Sequence, residues 1–285
     1  RSQEPDRWKL LEMIVAIDIG GTKTRVARAR DLSQIDQKII FDTPEDYPAG
    51  FAMLVDAVNK LGAEGIEGIA VGAPGVLSRD RRSLVHAPNL PLWNGAALAD
   101  ELEAALNARV TLENDAALVG LGEAVRGAGK GAAIVGYVTI STGVNGVRIV
   151  DRAIDRATYG FELGEQFLGH AATADTLEDL VSGRAVSKRF GAPPVSLGKD
   201  HPVWEELAQI VAIGLHNVIA HWSPERIVLG GSMMKEVGIP IERVRVHLGG
   251  LRRKNPVLPE VVLASLGDFG GLWGGLVRLQ TRQGT

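Results

Sequence analysis

Cysteine is absent from the 285 residues. No disulfide can form, no zinc site can be built on thiolates, and nothing in the composition points to secretion. Neither sign of charge dominates either: 31 Lys and Arg stand against 34 Asp and Glu, a net charge of −3. A nucleic-acid scaffold would show a basic excess, so that class of partner is set aside. Long apolar runs free of polar groups are missing too. The two uncharged stretches, 131–147 and 207–224, carry Ser141, Thr142 and Asn145 in the first and Gln209, His216, Asn217 and His221 in the second. Those groups would be stranded in a lipid core, so no membrane partner is expected. The opening Arg-Ser-Gln-Glu-Pro-Asp-Arg has no apolar core and does not read as a secretory signal; residues 1–12 are read as a tail outside the fold, and the expected location is the cytoplasm.

Aliphatic side chains and glycine are abundant: 45% of the residues are hydrophobic and 35 are Gly. Such a chain can bury a substantial core, as one large domain or two of ordinary size. Met13 to Ala29 reads as a short β-branched strand, a Gly20-Gly21 turn and an alternating second strand. A helix is expected over about 49–61, a buried strand at 68–71, a second helix at 98–106 and a strand at 109–112. The last delivers Glu113-Asn114-Asp115 to the start of a small-residue helix over 116–124. Residues 135–150 then repeat the opening pattern of strand, Gly/Thr turn and Arg-bearing strand. Leu207, Ile210, Val211, Gly214, Leu215, Val218 and Ile219 mark one buried helix face ahead of a strand at 226–229. Two α/β lobes follow, about 13–113 and 114–268, each opened by a glycine-turned hairpin, with the glycine-rich tail as a helix returning to the first.

The turn Asp18-Ile-Gly-Gly-Thr-Lys-Thr24 suits phosphate, since paired glycines let backbone N–H groups approach an anion while Thr and Lys add donors. It lacks Walker A spacing, and no dinucleotide fingerprint follows a strand. An ordinary hairpin turn would use the same glycines; the second copy at Ser141-Thr142-Gly143 favours two hairpins gripping one polyphosphate. Asn114-Asp115 sits where a strand ends and a helix begins, the place where open α/β sheets gather functional groups. Asp115 there either takes a proton from a substrate hydroxyl or caps the helix. Glu162, Glu165 and Glu178 form an acidic group that is either solvated or ligand-binding. The six histidines are scattered and make no metal cage, and the runs Arg79–Arg82 and Arg252–Lys254 read as solvated.

Taken in order, Asp18–Thr24, Gly72-Ala-Pro-Gly75, Pro88-Asn-Leu-Pro-Leu-Trp-Asn-Gly95, Glu113-Asn-Asp115, Ser141-Thr-Gly143, Leu229-Gly-Gly231 and the glycine-rich tail resemble the ROK family of repressors, open reading frames and sugar kinases. The resemblance implies an actin-like ATPase fold of the ribonuclease H-like kind, two lobes with a cleft, and a glucokinase-like enzyme that uses ATP and Mg²⁺ to phosphorylate a hexose. It implies Asp115 as general base and Asn114, Gly75, Asn89, Glu162, Glu165 and Glu178 around the sugar. It also implies Gly20, Gly21, Thr22, Lys23, Thr24, Ser141, Thr142 and Gly143 on the phosphates, Asp18 near Mg²⁺, directly or through water, and Gly230 and Gly231 against adenosine. Two departures stand out. The family's Glu-x-Gly-His becomes Glu162-Leu163-Gly164-Glu165, and its cysteine-rich zinc segment becomes residues 169–178 without a cysteine, so no zinc is expected. A repressor of this family carries a DNA-binding region ahead of the first hairpin, which here starts at Ile14. A non-catalytic sugar- or nucleotide-binding relative, or a kinase for fructose or an N-acetylhexosamine, remains as the alternative, and a homodimer is the candidate assembly.

Overall fold

A computed structural model describes residues 13–30, 34–62, 65–171, 174–251 and 257–280. The tail 1–12 and the basic run at 252–254 lie outside the described residues. The chain divides into two compact units, one running to Asp115 and resuming at Gly271, the other Ala116–Gly270.

The first unit is built on a five-stranded sheet. Strands β1 (Ile14–Ile19) and β2 (Lys23–Ala29) form the opening hairpin, and β3 (Gln37–Asp42) adds to the outer side of β2. Helix α1 (Tyr47–Lys60) leads to β4 (Gly68–Ala73), which runs parallel to β1. After the small hairpin β5 (Val76–Leu77) and β6 (Leu84–His86) come helix α2 (Leu98–Leu106) and β7 (Val110–Asn114), parallel to β4. The order is β3-β2-β1-β4-β7. Strand β4 is buried at every position, the environment that its unbroken run Gly-Ile-Ala-Val-Gly-Ala suits. Helix α1 starts two residues earlier than its apolar spacing suggests. The Asp46 side chain accepts from Ala49 N at 3.0 Å and a proline stands in the first turn, where its missing N–H costs nothing.

The second unit repeats the plan. Helix α3 (Asp115–Arg126) enters it, followed by the hairpin β8 (Ile134–Ile140) and β9 (Val144–Val150) with β10 (Ala153–Ile154) on its edge. Short helices α4 (Leu177–Val181) and α5 (Gly183–Phe190) precede the long α6 (Val203–Trp222). Strand β11 (Arg226–Gly230), α7 (Ile241–Gly250) and β12 (Glu260–Leu263) complete a sheet of order β10-β9-β8-β11-β12. In both sheets the inner strand of an antiparallel hairpin takes one parallel neighbour, which in turn takes a second. Each sheet has its own core. Trp93, Leu54 and Leu98 anchor the first, while Trp204, Leu207, Val211 and Leu215 of α6 anchor the second.

Glu123 of α3 is 1% exposed, and its carboxylate accepts from Ala128 N, Ser265 N and Leu266 N, each at 2.8 Å. Those bonds fix the loop that leads into helix α8 (Gly270–Gln280). From Gly271 onward α8 belongs to the first unit. A Cβ on Gly275 would lie 3.0 Å from the Cβ of Ala16, so only glycine lets the helix pack this close to β1. No described helix is long and apolar enough to cross a membrane. Strands β3 and β12 and helices α4, α5 and α7 were not legible in the sequence. β3 is an edge strand with no fully buried position, and β12 has only four residues with one buried, so neither shows a clean alternation.

Candidate active site

Parallel pairing sets the geometry of the first unit. Asp18 on β1 lies opposite Gly72 on β4, Gly72 opposite Glu113 on β7, and Ala73 opposite Asn114. The carboxyl ends of the three strands therefore bring Asp18, the Gly72–Gly75 loop and Asn114-Asp115 to one sheet edge, where open α/β sheets bind ligands. The turn after Asp18 is held from behind. Gly20 N donates to Lys23 O at 3.0 Å, Thr43 Oγ1 donates to Gly20 O at 2.7 Å, and Thr43 N donates to Thr22 O at 2.9 Å. Gly21, Thr22 and Lys23 are exposed on the turn. Lys23 pairs with Asp42 at 2.5 Å. Thr24 departs from expectation: it is fully buried with its hydroxyl 2.9 Å from that of Thr43, so it braces the turn and presents no donor to a ligand.

Asp18 is mostly buried. Its carboxylate lies 3.9 Å from Arg25 and against the first turn of α8, where a Cβ on Gly271 would come within 2.6 Å of its Cγ. Asn89 is exposed and packs on Gly21, whose absent Cβ would fall 2.9 Å from that of Asn89. Gly75 has φ 88°, and its carbonyl accepts from Asn114 Nδ2 at 3.1 Å. That bond ties the loop to the end of β7. Asp115 follows as the first residue of α3, half-buried, at the helix end that favours an anion.

Glu113, one residue before this pair, is 2% exposed and clamped between Arg81 and Arg278 Nε, the latter at 2.9 Å. Sequence reasoning assigned it no role. The Arg79–Arg82 run is correspondingly not a solvated patch: Arg81 holds Glu113, and Arg82 pairs with Asp100 and Glu103. The partners lie tens of residues away, so no local pattern signalled them.

In the second unit, Gly230 on β11 pairs with Thr139 on β8, which sets the Ser141–Gly143 turn beside the Gly230–Ser232 bend. Ser141 N donates to Gly143 O at 2.8 Å, and the turn is joined to α5 by Gly183 N donating to Ser141 O at 2.7 Å. A cavity of about 740 Å³ opens alongside, with Thr142, Arg184, Ser187, Ser232, Met233 and Lys235 in its wall. Gly230 and Gly231 differ from expectation. Gly230 is buried with a Cβ position only 2.6 Å from the Tyr137 hydroxyl, and Gly231, at φ 97° and ψ 164°, is pressed onto the Ile140 backbone. They shape the bend, and it is Ser232 and Met233 that reach the cavity.

The acidic group comes together in this unit. Glu178 Oε2 accepts from Val144 N at 2.7 Å and sits where a Cβ on Gly143 would be, 2.7 Å away. The glycine thus admits the acid to the back of the turn. Gly164 lets the Glu162–Glu165 bend approach Val144 O, within 2.3 Å of its own absent Cβ. The Glu162 carboxyl is pushed above the usual carboxylate range, first by the protein that surrounds it on one side and then by the negative charges of Glu165 and Glu178. Glu165 is exposed. Among the described residues, no group of three or more His, Asp or Glu side chains is placed to hold a metal.

The profile of the ROK family matches residues 14–281. The chain belongs to the ROK family. Among its ROK relatives, the glucokinase of Streptomyces coelicolor is 27% identical, the match covering 92% of this chain and 96% of that one. The fructokinase of Pediococcus pentosaceus is 25% identical over 94% of this chain and 98% of its own. The crystal structure of a ROK hexokinase from Thermus thermophilus superposes with a TM-score of 0.77 at 27% identity, covering 95% and 99% of the two chains. The ROK fold is that of the actin-like ATPases, and the paired sheets described above are its two halves. This ROK chain has no cysteine in the segment where the family's zinc ligands usually stand. Here Phe167 bridges Thr176, Leu177 N donates to Gln166 O at 3.0 Å, and Asn217 Nδ2 donates to Gln166 Oε1 at 2.9 Å. A capping box between Thr176 and Asp179 starts α4 directly afterwards.

Proposed function

We propose that this ROK protein is an ATP-dependent hexose kinase, glucokinase-like, that transfers the γ-phosphoryl group to a sugar hydroxyl. The observation that carries the reading is the sheet edge of the first unit, where β-strand register gathers a phosphate-type turn, an amide and a carboxylate. Asp115 accepts the proton of the attacking hydroxyl as its oxygen bonds to the γ-phosphorus, and ADP leaves with the electrons of the broken P–O bond. Asn114 and Asn89 hydrogen-bond sugar hydroxyls, with Gly75 supplying close backbone approach. The exposed Gly21–Lys23 stretch and the Ser141–Gly143 turn bind phosphate oxygens, with Gly20 closing the turn through its N–H to Lys23 O, and the cavity beside Ser232 takes the nucleoside.

Mg²⁺ on this reading travels with the nucleotide. One carboxylate plus substrate phosphates is a common Mg²⁺ donor set, and Asp18, at the mouth of the turn, fits it, directly or through water. Bound there, the ion would offset phosphate charge.

Glu162, Glu165 and Glu178 are proposed to hold sugar hydroxyls. An ionised carboxylate only accepts hydrogen bonds, so three together suit O–H donors and repel anionic substituents. The expected acceptor is a neutral, hydroxyl-rich hexose, and the fructokinase relative keeps a ketohexose in the panel. Coupled ADP release over aldohexoses, fructose, N-acetylhexosamines, gluconate and fructose 6-phosphate tests it. Turnover on a neutral hexose is the expected result. Silence across the panel with ATP still bound would replace the kinase reading with a binding role.

A further inference from the structure

Arg184 is a cation that none of the site assignments above uses. It stands in the first turn of α5, just after the Ser141–Gly143 turn's contact with Gly183, and its side chain is 55% exposed in the wall of the 740 Å³ cavity. Among the described residues its only ion-pair partner is Glu178, at 3.8 Å, beyond hydrogen-bond length. Glu178 Oε2 is meanwhile spoken for by Val144 N at 2.7 Å. The other cation in the cavity wall, Lys235, pairs with Asp268 at 3.6 Å. The rest of the lining mixes hydroxyls of Thr142, Ser187 and Ser232 and one carboxylate, Glu236, with the apolar Val195 and Met233, a surface for a ring whose charged tail lies on the Arg184 side.

We infer that Arg184 binds a phosphate of the nucleotide and in doing so gives up Glu178. The inference rests on the cavity being the nucleotide pocket. A guanidinium presents a planar fork of donors that matches phosphate oxygens two at a time, and a polyphosphate offers more negative charge than one carboxylate at 3.8 Å. Once Arg184 turns to phosphate, Glu178 loses its neighbouring positive charge and becomes a stronger acceptor for sugar hydroxyls. Nucleotide phosphate therefore tightens sugar binding, and sugar tightens nucleotide binding by the same factor.

Calorimetry on the full chain decides it, with AMPPNP and adenosine as nucleotide probes and the best acceptor from the panel as sugar probe. In Arg184→Gln, AMPPNP is expected to bind roughly tenfold more weakly while adenosine changes less than about twofold, and Arg184→Lys falls between. In the wild type, AMPPNP should tighten the sugar several-fold more than adenosine does, a difference that Arg184→Gln abolishes. Equal losses for AMPPNP and adenosine would make Arg184 part of the cavity wall only. Unchanged binding of both, or a sugar affinity that responds alike to the two probes in the wild type, would overturn the inference. The nucleotide arm needs no turnover: wild type that fails to bind AMPPNP sinks the ATP reading as well, whereas AMPPNP binding indifferent to Arg184 sinks this inference alone.

Discussion

Asp115 is where two roles for one carboxylate can be separated by substitution. Asp115 is the first residue of α3, where its charge is worth about 0.3–1 kcal/mol, so Asp115→Asn should lower the melting temperature only slightly. If the carboxylate takes the hydroxyl proton, kcat falls by roughly 10²–10⁴ with KM for sugar and ATP little changed. Near-normal turnover would leave Asp115 as a helix starter. Glu162 makes a second, pH-based prediction. Its raised folded-state pKa means that the protein is stabilised by its neutral form below the ordinary carboxylate range, and loses that contribution as pH rises through the raised value. Thermal melts from about pH 4 to about pH 7 should therefore show wild type losing ground to Glu162→Gln as pH increases. A constant difference would mean that Glu162 is not strained by its neighbours. The residues that strand-turn-helix punctuation exposes, Asp18, Asn114 and Asp115, were legible in the sequence. Arg81, Arg184 and the part played by Glu113 were not, because each gains its meaning from a partner brought close by folding: Glu113 for Arg81, Glu178 for Arg184, and both Arg81 and Arg278 for Glu113.

Among the elements, both hairpins follow from local chemistry: β-branched runs, a glycine pair or Gly/Thr turn, and an alternating return strand. The bend after β11 shows what local chemistry conceals. Gly231 occupies a backbone region essentially reserved for glycine, and a Cβ there would lie 2.1 Å from Ile140 O. Gly231→Ala should cost at least about 1–3 kcal/mol from conformation alone, before the overlap with Ile140 is counted. Gly230→Ala should cost less, since it meets the tip of the Tyr137 side chain, which can shift. Denaturant melts of the two variants check the order, and equal losses would refute it. Glu123→Ala should also destabilise, by roughly 1–3 kcal/mol for each N–H left without a partner, because the Ser265–Leu266 loop and Ala128 all donate to that one buried carboxylate. Glu123→Gln, which keeps one acceptor oxygen, should fall between.

At the scale of the whole molecule, the absence of cysteine carries a prediction of its own. The segment that replaces the family's zinc ligands is pinned by the Phe167–Thr176 bridge and by Asn217 on Gln166. Treatment with a zinc-selective chelator, followed by excess Mg²⁺, should leave melting temperature and rate unchanged. A loss of both would reveal a metal that these contacts do not replace. Acceptor choice also belongs to this scale. Glu165→Gln should narrow the preference for a neutral hexose over gluconate and fructose 6-phosphate, and unchanged kcat/KM for all three acceptors would remove Glu165 from the sugar site. The sequence by itself determined the family, the doubled hairpin plan and most of the strand-end motifs, because these depend on residue order, on the spacing of apolar side chains and on glycine at tight turns. Only the tertiary structure decided which of the motif residues face outward. Thr24 is buried against Thr43 and Gly230 is covered by the Tyr137 ring, while Arg184, unremarkable in sequence, is carried to a cavity wall beside Glu178 by the packing of α4 on β9 and of α5 on α4.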